Sequence, residues 1–569
     1  MAIIGIDLGT TNSLVSVWEN GHAVLIPNRF GSCLTPSVVA EAAGEICVGA
    51  PAKEKRLTEP ENSAALFKRY MGLEAQAPLG DKWYSPQELS AMILRQLKRD
   101  AQEYLGEPVE EAIISVPAYF NDEQRFVTRQ AGVLAGLKVE RLINEPSAAA
   151  LACRSLNGDE DETFLVIDFG GGTLDVSVVE CFDQVIEILA VSGDNRLGGE
   201  EFDKRIARHF CREHQIEYGL LEPKQQQMLL KSAELCKRQM TEKSAALMEW
   251  TGPDGKKGLI LTAEDMVRIS APLLKRMEEI VHKALRDVSM TAEDIDKVVL
   301  VGGTCRMPVI RQYIRHFMGA EPVMVKNPDE VVALGVGTYA GIKERREDIK
   351  DIVLTDICPF TLGIGVRDDS SGELIMSPVI ERNCILPFSH EEEFWPVSKT
   401  QTHVAVRIYQ GEAMYCKKNL FLGKIDIAVP EGSEEHRKVT VRFTYDINGI
   451  LEVEAANEAG QKARKLIVNS QIRMSEKELE RKIEQIKNLK YMSRDEEWNT
   501  LVLARGERLY EECLGEDRRV VAANTQWLRT VMKGKNPAAV RAARKQVERI
   551  FEYLEEKLGI DEETIGEET

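Results

Sequence analysis

One short pattern of residues occurs twice in this chain and constrains its fold more than any other feature. The first copy is Ile4-Gly-Ile-Asp-Leu-Gly-Thr-Thr-Asn12, and the second is Val166-Ile-Asp-Phe-Gly-Gly-Gly-Thr173. In each copy an apolar strand ends in an aspartate and leads into a turn rich in glycine and threonine. A second strand follows each turn, Val15-Ser-Val17 in one and Val176-Ser-Val178 in the other. The recurrence predicts two similar lobes, each of which offers a turn to a shared ligand.

The two turns have the composition of a phosphate-binding site. Backbone N–H groups in a tight glycine turn form a concave anion site, and glycine lets the chain approach a phosphate closely. Asp7 and Asp168 supply the hard oxygen ligands that a phosphate-bound Mg²⁺ prefers. A single copy would equally suit an ordinary hairpin, but two copies in one register predict a nucleotide clamp. No Gly-x-x-x-x-Gly-Lys-Ser/Thr loop occurs, which excludes a P-loop NTPase.

Composition narrows the class of protein further. A length of 569 residues suggests roughly three to four domains, and 43% hydrophobic residues are ample for their cores. The net charge of −19, with acid and base mixed, provides no basic face for nucleic acid. The eleven scattered cysteines indicate neither a zinc site nor a disulfide framework and fit a reducing cytosol. Without a signal-like segment or an apolar run of ~18 residues, we expect a cytoplasmic protein with no membrane partner.

The pattern of apolar residues changes twice along the chain. Up to about residue 350, short buried strands such as Ala112–Val116 and Lys297–Val301 alternate with helical stretches such as Pro86–Leu105, which indicates an α/β region. After a charged run at 344–351, the alternation of β-strands extends from 358 to about 468, with a tight Asn-Gly turn in Asp446-Ile-Asn-Gly449. The alternating residues are Val404, Val406, Ile408, Val439, Val441, Phe443, Tyr445, Leu451, Val453 and Ala455.

From residue 475 the period becomes helical. Ser475-Glu-Lys-Glu478 is a capping box, and three apolar residues follow on one face: Leu479, Ile483 and Ile486. The last helix has Asn536 as its cap, Pro537 in its first turn and Gly559 past its end. Its apolar stripe, typical of a helix packed against sister helices, consists of Val540, Ala543, Val547, Ile550, Leu554 and Leu558.

Further segments make a resemblance to one family specific. They resemble segments of the DnaK-type molecular chaperones, the heat shock protein 70 family. The segments are Phe67–Gly72, Val116–Asp122, Ile143–Leu151, Asp194–Gly199, Val301–Arg306, Asn327–Glu330 and Gln410–Glu412. The resemblance extends from end to end. Asp356-Ile-Cys-Pro-Phe-Thr-Leu-Gly363 and the compact size look most like the HscC branch.

The resemblance implies a multidomain chaperone. Its parts would be a two-lobed, actin-like (ribonuclease H-like) α/β ATPase at 1–350, a linker at 351–357, a β-sandwich substrate-binding domain at 358–470 and an α-helical lid at 471–569. Such a protein binds exposed hydrophobic segments of unfolded client polypeptides and controls that binding by ATP hydrolysis, in protein folding and the stress response. The implied cofactors are ATP or ADP, Mg²⁺ and K⁺, and a J-domain co-chaperone is an implied partner.

By motif position, the resemblance also implies the residues of the ATP site. Lys68 would face the γ-phosphate, and Glu145, Asp168 and Thr173 would surround the attacking water. Asp7 and Asp168 would hold the metal through water. Further nucleotide contacts would come from Gly9, Thr10, Thr11, Asn12, Gly170, Gly171, Gly172, Gly198 and Gly199. The adenosine contacts would come from Glu234, Lys237, Arg238, Thr241, Gly302, Gly303, Thr304, Arg306 and Asp329.

The chemistry agrees with these roles, although each residue has a plainer alternative. Hydrolysis of a phosphoryl group needs positioning and charge neutralisation, which a lysine provides at the equatorial oxygens. Carboxylates and a hydroxyl can orient the water, and which carboxylate accepts the proton stays open. Lys68 could instead be a solvated helix lysine, and Glu145 could cap the helix that follows. The stretch 234–241 could be an ordinary charged face, and Gly302-Gly303 a plain turn.

A relay from the nucleotide to the linker is also implied. Its residues would be Pro117, Arg125, Arg141 and Asp356, although the arginines could equally form surface ion pairs. The linker is too apolar for a plain spacer because it contains Ile352, Val353 and Leu354. Burying each contributes roughly 1.5–3 kcal/mol at most, and the sum is comparable to the ~5.5 kcal/mol that swings a two-state equilibrium. We expect the linker to dock on the ATPase with ATP, less tightly for having Thr355 where many relatives carry leucine.

The match also places five residues around a hydrophobic peptide pocket: Ile364, Phe394, Val397, Val404 and Val406. Alternation alone cannot separate these from ordinary residues of a sandwich core, so both interpretations stay open. A pocket for one leucine-sized side chain, with main-chain hydrogen bonds, implies promiscuous binding to extended segments. Arg367 falls near a position where relatives carry an apolar residue over the peptide, which suggests selectivity for acidic or polar-flanked segments.

Some regions depart from the family pattern. The segment between Gly72 and Trp83 is short, and family exchange factors grip near there, so the need for an exchange factor stays open. The lid near Leu501–Val531 is trimmed, and Ile565–Thr569 lacks the Glu-Glu-Val-Asp tail of eukaryotic cytosolic members. Three alternatives remain at this point: a small-molecule kinase on the same fold, an actin-like filament protein, and a holdase or exchange factor that binds nucleotide without cycling.

Overall fold

The structure of the protein is a computed structural model. It describes residues 2–42, 44–157, 161–182, 184–346, 349, 352–368, 372–398, 400–430, 437–447, 449–467 and 476–558. Four positions of the predicted caps, turn and linker lie outside the described residues: Asp351, Asn448, Ser475 and Gly559.

The first part of the chain, residues 2–157, forms a mixed sheet, smaller sheets and helices. The strands are β1 (Ile3–Asp7), β2 (Asn12–Glu19), β3 (His22–Leu25), β4 (Thr35–Pro36), β5 (Val38–Ala42), β6 (Glu45–Val48), β7 (Ser63–Ala65), β8 (Ala77–Leu79), β9 (Lys82–Tyr84), β10 (Glu111–Val116) and β11 (Lys138–Asn144). The helices are α1 (Ala50–Thr58), α2 (Pro86–Leu105), α3 (Asp122–Leu134) and α4 (Glu145–Asn157), and a short 3₁₀ helix spans Phe67–Tyr70.

The second part of the chain, residues 161–346, has a similar content. Its strands are β12 (Glu162–Phe169), β13 (Leu174–Phe182), β14 (Val185–Asp194), β15 (Ala245–Gly252), β16 (Gly255–Thr262), β17 (Lys297–Val301) and β18 (Val323–Met324). Its helices are α5 (Gly199–Glu213), α6 (Pro223–Gln239), α7 (Ala263–Asp287), α8 (Pro308–Met318) and α9 (Val331–Lys343), with a 3₁₀ helix at Gly303–Arg306.

The two large sheets of these parts share one topology. The strand order is β3-β2-β1-β10-β11 in the first sheet and β14-β13-β12-β17-β18 in the second. In both, the first three strands are antiparallel and the next two join in parallel. The repeated pattern therefore lies at equivalent places in two equivalent sheets. We call residues 2–157 the first lobe and residues 161–330 the second lobe.

Local sequence signals account for several of these elements. The helix predicted at Pro86–Leu105 is α2 with the same bounds, because Ser85 and Glu88 complete a capping box and Gly106, with φ of 70°, ends the helix. The predicted strand Lys297–Val301 is β17, and Ala112–Val116 lies within β10. These predictions are confirmed.

Helices α4 and α9 join the two lobes. Both contribute to a core that also contains residues of the second sheet, and the hydroxyl of Ser16 in β2 donates to the carbonyl of Ala333 in α9 at 2.6 Å. A Cβ atom at Gly335 of α9 would lie 1.8 Å from the carbonyl oxygen of Ala148 in α4. Glycine at this position therefore lets the two helices approach closely enough to hold the sheets together.

The part from 352 to 467 is built of strands. They are β19 (Val353–Thr355), β20 (Leu362–Arg367), β21 (Leu374–Ile380), β22 (Phe388–Phe394), β23 (His403–Gln410), β24 (Leu420–Ala428), β25 (Val439–Tyr445), β26 (Leu451–Asn457) and β27 (Lys462–Ile467). Two four-stranded sheets, β21-β20-β23-β24 and β22-β25-β26-β27, share one apolar core. The predicted alternation in β25 and β26 is confirmed, since Val439, Val441, Phe443, Leu451 and Val453 are fully buried in that core.

The last described part is helical, with α10 (Glu476–Lys487), α11 (Arg494–Glu512), α12 (Gly515–Lys533) and α13 (Pro537–Leu558). The carboxamide of Asn536 accepts from the N–H groups of Ala538 and Ala539, as expected of the predicted cap. Helices α11, α12 and α13 share a core that contains Val502, Val521, Ala543, Val547 and Leu554, which confirms packing against sister helices. By contrast, the apolar face of α10 packs on the core of the first lobe. None of the described helices is long and apolar enough to cross a membrane.

Candidate active site

The two glycine turns of the repeated pattern touch each other. A Cβ atom on Gly171 would lie 2.1 Å from Oγ1 of Thr11, and one on Gly172 would lie 2.3 Å from Cγ2 of Thr10. The first turn is tight as well, because a Cβ atom on Gly9 would lie 2.0 Å from the carbonyl oxygen of Asn12. A side chain at any of these positions would displace backbone or push the turns apart.

Two more segments of the second lobe close around the second turn. The N–H of Gly199, at the start of α5, donates to the carbonyl of Gly170 at 3.1 Å, and the hydroxyl of Thr304 donates to the same carbonyl at 2.9 Å. Gly302 has φ of 82°, and a Cβ atom there would lie 2.7 Å from Oδ1 of Asp168. The first N–H groups of α5 are thus used by the carbonyls of Gly170 and Gly171, and they fix the start of the helix against the second turn.

A cluster of charged side chains lies beside the turns. Asp7, at the end of β1, accepts a hydrogen bond of 2.7 Å from the hydroxyl of Ser115. Asp168 is at the end of β12, and Asp175, in β13, accepts one of 3.1 Å from the N–H of Ala118. Glu145, at the start of α4, adds a further carboxylate. Its Oε1 lies 2.6 Å from Nζ of Lys68 in the 3₁₀ helix at Phe67–Tyr70. Thr173 is buried where the second turn enters β13.

The electrostatics of this cluster indicate a shortage of positive charge. Burial, followed by the charge of Glu145, raises the pKa of Asp7 to about 6. Burial and the neighbouring carboxylates, Glu145 first, hold the pKa of Asp168 well above its usual range. Burial and the charge of Glu145 raise the pKa of Asp175 to about 8. Lys68 opposes all three shifts without cancelling them.

A magnesium nucleotide fits this set of groups. Mg²⁺ would restore the charge balance at Asp7 and Asp168, since carboxylate oxygens are among its preferred ligands. The hydroxyl oxygen of Thr10 is buried and has no hydrogen-bond partner, so a phosphate oxygen beside the turn would satisfy it. Across the described ranges, no three His, Cys, Asp or Glu side chains are grouped as ligands of one ion, so phosphate and water would complete the coordination.

The residues proposed for adenosine lie on α6 and on the loops near Gly302. Glu234, Lys237 and Arg238 are half-buried on α6, and Thr241 follows the helix. The ammonium of Lys237 donates to the carbonyl of Gly199 at 3.1 Å and pairs with Asp203 at 2.8 Å. On the other side, Arg306 pairs with Asp329 at 3.2 Å, and a Cβ atom on Gly303 would lie 2.5 Å from Asp329. The structure thus joins α6 to the second turn through Gly199.

Sequence reasoning missed three polar residues of the site: Arg69, Ser115 and Asp175. Arg69 reaches from the first lobe to the second, where it donates to the carbonyl of Gly172 and to the carboxylate of Glu201, both at 2.7 Å. Asp175 had a readable signal, because an acidic residue within a buried apolar strand usually has a polar role. Arg69 and Ser115 had none in the sequence, since their partners are remote in the chain.

Of the residues expected to relay the nucleotide state, Arg125 and Arg141 lie near Asp356 of the linker. The guanidinium of Arg125 donates to Oδ1 of Asn144 at 2.5 Å, and Nδ2 of Asn144 donates to Asp356 at 2.7 Å. Burial raises the pKa of Asp356, against the effect of these hydrogen bonds and of Arg125 and Arg141. The guanidinium of Arg141 also lies 4.7 Å from the ring centre of Tyr339. Pro117 follows the end of β10, and its carbonyl accepts from the N–H of Phe120 at 3.0 Å.

The linker itself adds a strand to the second lobe. Val353–Thr355 forms β19, which pairs in parallel with β14 so that Val353 lies opposite Val185 and Leu354 opposite Ile186. Ile352 and Leu354 pack against the core between the lobes, while Val353 is exposed. The apolar linker is therefore docked in this conformation.

The five residues proposed for the peptide pocket are not equivalent in this structure. Ile364 and Val406 are buried in the core shared by the two β-sheets, and Phe394 and Val404 pack against that core. Val397 lies outside it, with 62% of its surface exposed. Arg367 is exposed at the end of β20.

Comparison with known proteins identifies the family of the chain. Residues 3–82 and 74–559 match the family described as Hsp70 protein. The chaperone protein DnaK of Thermotoga neapolitana is 39% identical over 503 residues, which cover 85% of this chain and 83% of that protein. The DnaK proteins of Thermotoga petrophila and Thermotoga maritima match to the same extent. The chain therefore belongs to the Hsp70 protein family.

Proposed function

We propose that this chain is an ATP-dependent molecular chaperone in which ATP hydrolysis controls the binding of unfolded or extended polypeptides. The observation that carries the proposal is the contact between two glycine turns beside a carboxylate cluster that lacks positive charge. Residues 1–350 would form the two-lobed actin-like ATPase, 351–357 the linker, 358–470 the β-sandwich that binds peptide and 471–569 the lid. The shared topology of the two large sheets supports this division. Family membership does not favour the small-molecule kinase or the filament protein.

The ATP site would work by positioning and by charge. Bound Mg²⁺ would neutralise phosphate charge and organise the triphosphate between the turns. Asp7 and Asp168 would hold the ion through water, and the hydroxyls and backbone N–H groups of both turns would hold phosphate oxygens. Lys68 would turn from Glu145 to the γ-phosphate, where its ammonium stabilises the charge that develops on the equatorial oxygens. Glu145, Asp168 and Thr173 would then orient the attacking water.

Adenosine would occupy the side of the cleft formed by α6 and the Gly302–Arg306 loop. Glu234, Lys237 and Arg238 would face it from α6 and Arg306 from the other side, as the positions of these residues support. Because Lys237 is also bonded to Gly199, adenosine contacts and phosphate contacts would move as one unit of the second lobe.

Coupling to peptide binding would run through the docked linker. The chain of hydrogen bonds from Arg125 through Asn144 to Asp356 supports a relay that senses whether β19 is paired with β14. ATP would favour the docked linker, and hydrolysis would release it and let the β-sandwich close on a peptide. Ile364, Phe394, Val397, Val404 and Val406 would then line the pocket. Val397, which is exposed in this structure, would be free to contact the peptide directly.

The remaining assignments follow from family membership. The partners would be polypeptide clients and a J-domain co-chaperone, K⁺ would accompany Mg²⁺, and the protein would act in the cytoplasm. Placement in the HscC branch is a further proposal, supported by the Asp356–Gly363 segment. The need for an exchange factor stays open because the 72–83 segment is short.

Release of a fluorescent unfolded peptide tests this proposal. The preformed complex of full-length protein and peptide is mixed with ATP or with ADP, each with magnesium, and the dissociation rate is recorded. We expect the unchanged protein to release the peptide faster with ATP than with ADP. The Asp168→Asn variant should release it at the ADP rate with either nucleotide. Equal rates for the unchanged protein would contradict nucleotide control of peptide binding.

A further inference from the structure

The lid helix α11 contacts both lobes of the ATPase. Near its C-terminal end, Nε of Arg508 donates to Glu54 of α1 in the first lobe at 2.8 Å. One turn later, Oε1 of Glu512 lies 3.4 Å from Nζ of Lys231 on α6 in the second lobe. Arg508 and Glu512 pair with each other at 2.9 Å. A continuous chain of alternating charges thus runs from the first lobe through the lid to the second.

Most of this chain is shielded from water. The side chain of Arg508 is 3% exposed, and that of Lys231 is 9% exposed. Ion pairs of this kind are screened less than surface pairs. A neighbouring pair between the same helices, Lys224 with Glu511 at 2.6 Å, is 38% and 40% exposed and contributes little by comparison. Of the two ion pairs between α11 and α6, the Lys231–Glu512 pair therefore contributes more to holding the helices together.

The attachment of α11 to the first lobe does not depend on that contact. The strand-like segment before α11 bonds to β6, with Ile46 N–H donating to Lys490 at 2.8 Å and Met492 N–H donating to Ile46 at 3.1 Å. Arg29 of the first lobe also pairs with Glu497 of α11. The helix is thus fixed on the first lobe along its N-terminal half, and it reaches the second lobe at its other end.

The point of attachment on the second lobe lies on the helix proposed to bind adenosine. Lys231 precedes Glu234 by about one turn of α6, and Lys237 of the same helix holds Gly199 and Asp203. A nucleotide held between turns of different lobes leaves when the lobes separate. A contact that ties α6 to a helix fixed on the first lobe resists that separation.

We propose that α11 is a strap across the nucleotide cleft, which slows the departure of nucleotide while the lid is docked. The strap presupposes the proposed nucleotide site. Through the strap, the lid would regulate the release of nucleotide from that site. The lid would undock when the β-sandwich closes on a peptide, and α6 would then be free of the lid. The binding of a client would therefore also speed nucleotide exchange.

The test measures the release of a fluorescent, non-hydrolysable ATP analogue from the full chain with magnesium, chased with unlabelled ATP, because ATP favours the docked state in which the strap is closed. Lys231→Met should speed release by about threefold or more, as for loss of a partly buried ion pair. Lys231→Arg should release at the unchanged rate, and so should Lys224→Met, the matched control on the exposed pair. Glu512→Gln removes the other partner and should match Lys231→Met. The double variant should be no faster than either single variant.

The outcomes separate the strap from the site on which it rests. An unchanged protein that takes up neither the ATP analogue nor ADP contradicts the proposed function itself. Uptake of the ATP analogue with equal release rates from Lys231→Met, Glu512→Gln and the unchanged protein overturns the strap. Equal acceleration by Lys224→Met and Lys231→Met also overturns it, because the effect would then be one of general surface charge.

Discussion

Lys68 and Glu145 form a buried ion pair, with 2.6 Å between Nζ and Oε1, beside the place where the two glycine turns meet. The lysine comes from the first lobe, and the glutamate begins the helix that joins the lobes. With the triphosphate in the site, the ammonium would be drawn to the γ-phosphate. The exchange of partners, from Glu145 to the γ-phosphate, would therefore be a step on the way to the proposed hydrolytic state.

Replacement of Lys68 by alanine should abolish most turnover and also weaken the nucleotide-free protein. Loss of the ammonium removes one charge-stabilising donor, which costs about 10²–10³ in the single-turnover rate. It also leaves Glu145 buried beside other carboxylates, at a cost of about 3 kcal/mol in the free energy of unfolding. Rapid-quench hydrolysis and urea unfolding measure the two effects. Lys82→Ala, at an exposed lysine of β9, is the control, and a Lys68→Ala protein with unchanged turnover would remove the lysine from the mechanism.

Replacement of Gly171 by alanine should weaken nucleotide binding because its Cβ would collide with Thr11 at 2.1 Å. We expect the chain to fold and the affinity for magnesium ATP to fall by at least about tenfold, equivalent to about 1.4 kcal/mol. Isothermal titration calorimetry measures the affinity. Gly219→Ala is the matched control, since no atom lies within 4 Å of a Cβ there. Equal affinities for the two variants would show that the turns do not need to touch.

Replacement of Asn144 by alanine should loosen the linker. The carboxylate of Asp356 is half-buried and would lose a hydrogen bond of 2.7 Å. Loss of a hydrogen bond to a charged group costs about 1.5–3 kcal/mol, so the undocked fraction should rise about tenfold or more. Limited proteolysis near Leu354 with ATP present reports that fraction, and Asn327→Ala is an exposed control. Cleavage as slow in Asn144→Ala as in the unchanged protein would exclude this relay.

The burial of Glu497 in the docked lid predicts that lid docking depends on pH. Burial raises the pKa of Glu497 from 4.5 to about 7, with Arg29 opposing the shift and Asp100 adding to it. Undocking would return the carboxyl towards 4.5, so protons bind the docked form more tightly. This contribution to docking is complete below about pH 4.5 and is lost as the pH rises through about 7.

Docking should therefore be weaker at pH 8 than at pH 6. Energy transfer between a dye on the first lobe and one on α13 measures the docked fraction. Glu497→Gln should flatten the pH profile, whereas Glu507→Gln, on the same helix but paired with Arg529 of α12, should keep it. A profile that is the same in both variants would assign the pH dependence to other groups.

Local patterns predicted much of the fold because they carry their own physical cause. The capping box at Ser85 and Glu88 and the glycine at 106 define both ends of α2, and period-two alternation defines β25 and β26. The recurrence of the glycine turn predicts two similar lobes, and the large sheets of the two lobes have the same strand order.

Long-range relationships could not be predicted in the same way. An amphipathic stripe shows that a helix is covered but not by what, and so the placement of α10 on the first lobe was not expected. Arg69 contacts Gly172 and Glu201 across the cleft, and no local spacing indicates such a pair. The core positions of Ile364 and Val406 likewise depend on how two sheets stack, which alternation leaves undetermined.

The steady-state ATPase rate with and without an unfolded peptide tests the central claim most directly, in the unchanged protein, Thr173→Ala and Thr173→Ser. The account predicts that peptide stimulates hydrolysis in the unchanged protein, that Thr173→Ser keeps stimulation because it keeps the hydroxyl, and that Thr173→Ala loses it. Absence of magnesium-dependent ATP hydrolysis in the unchanged protein, or a rate that peptide leaves unaltered, would contradict the account.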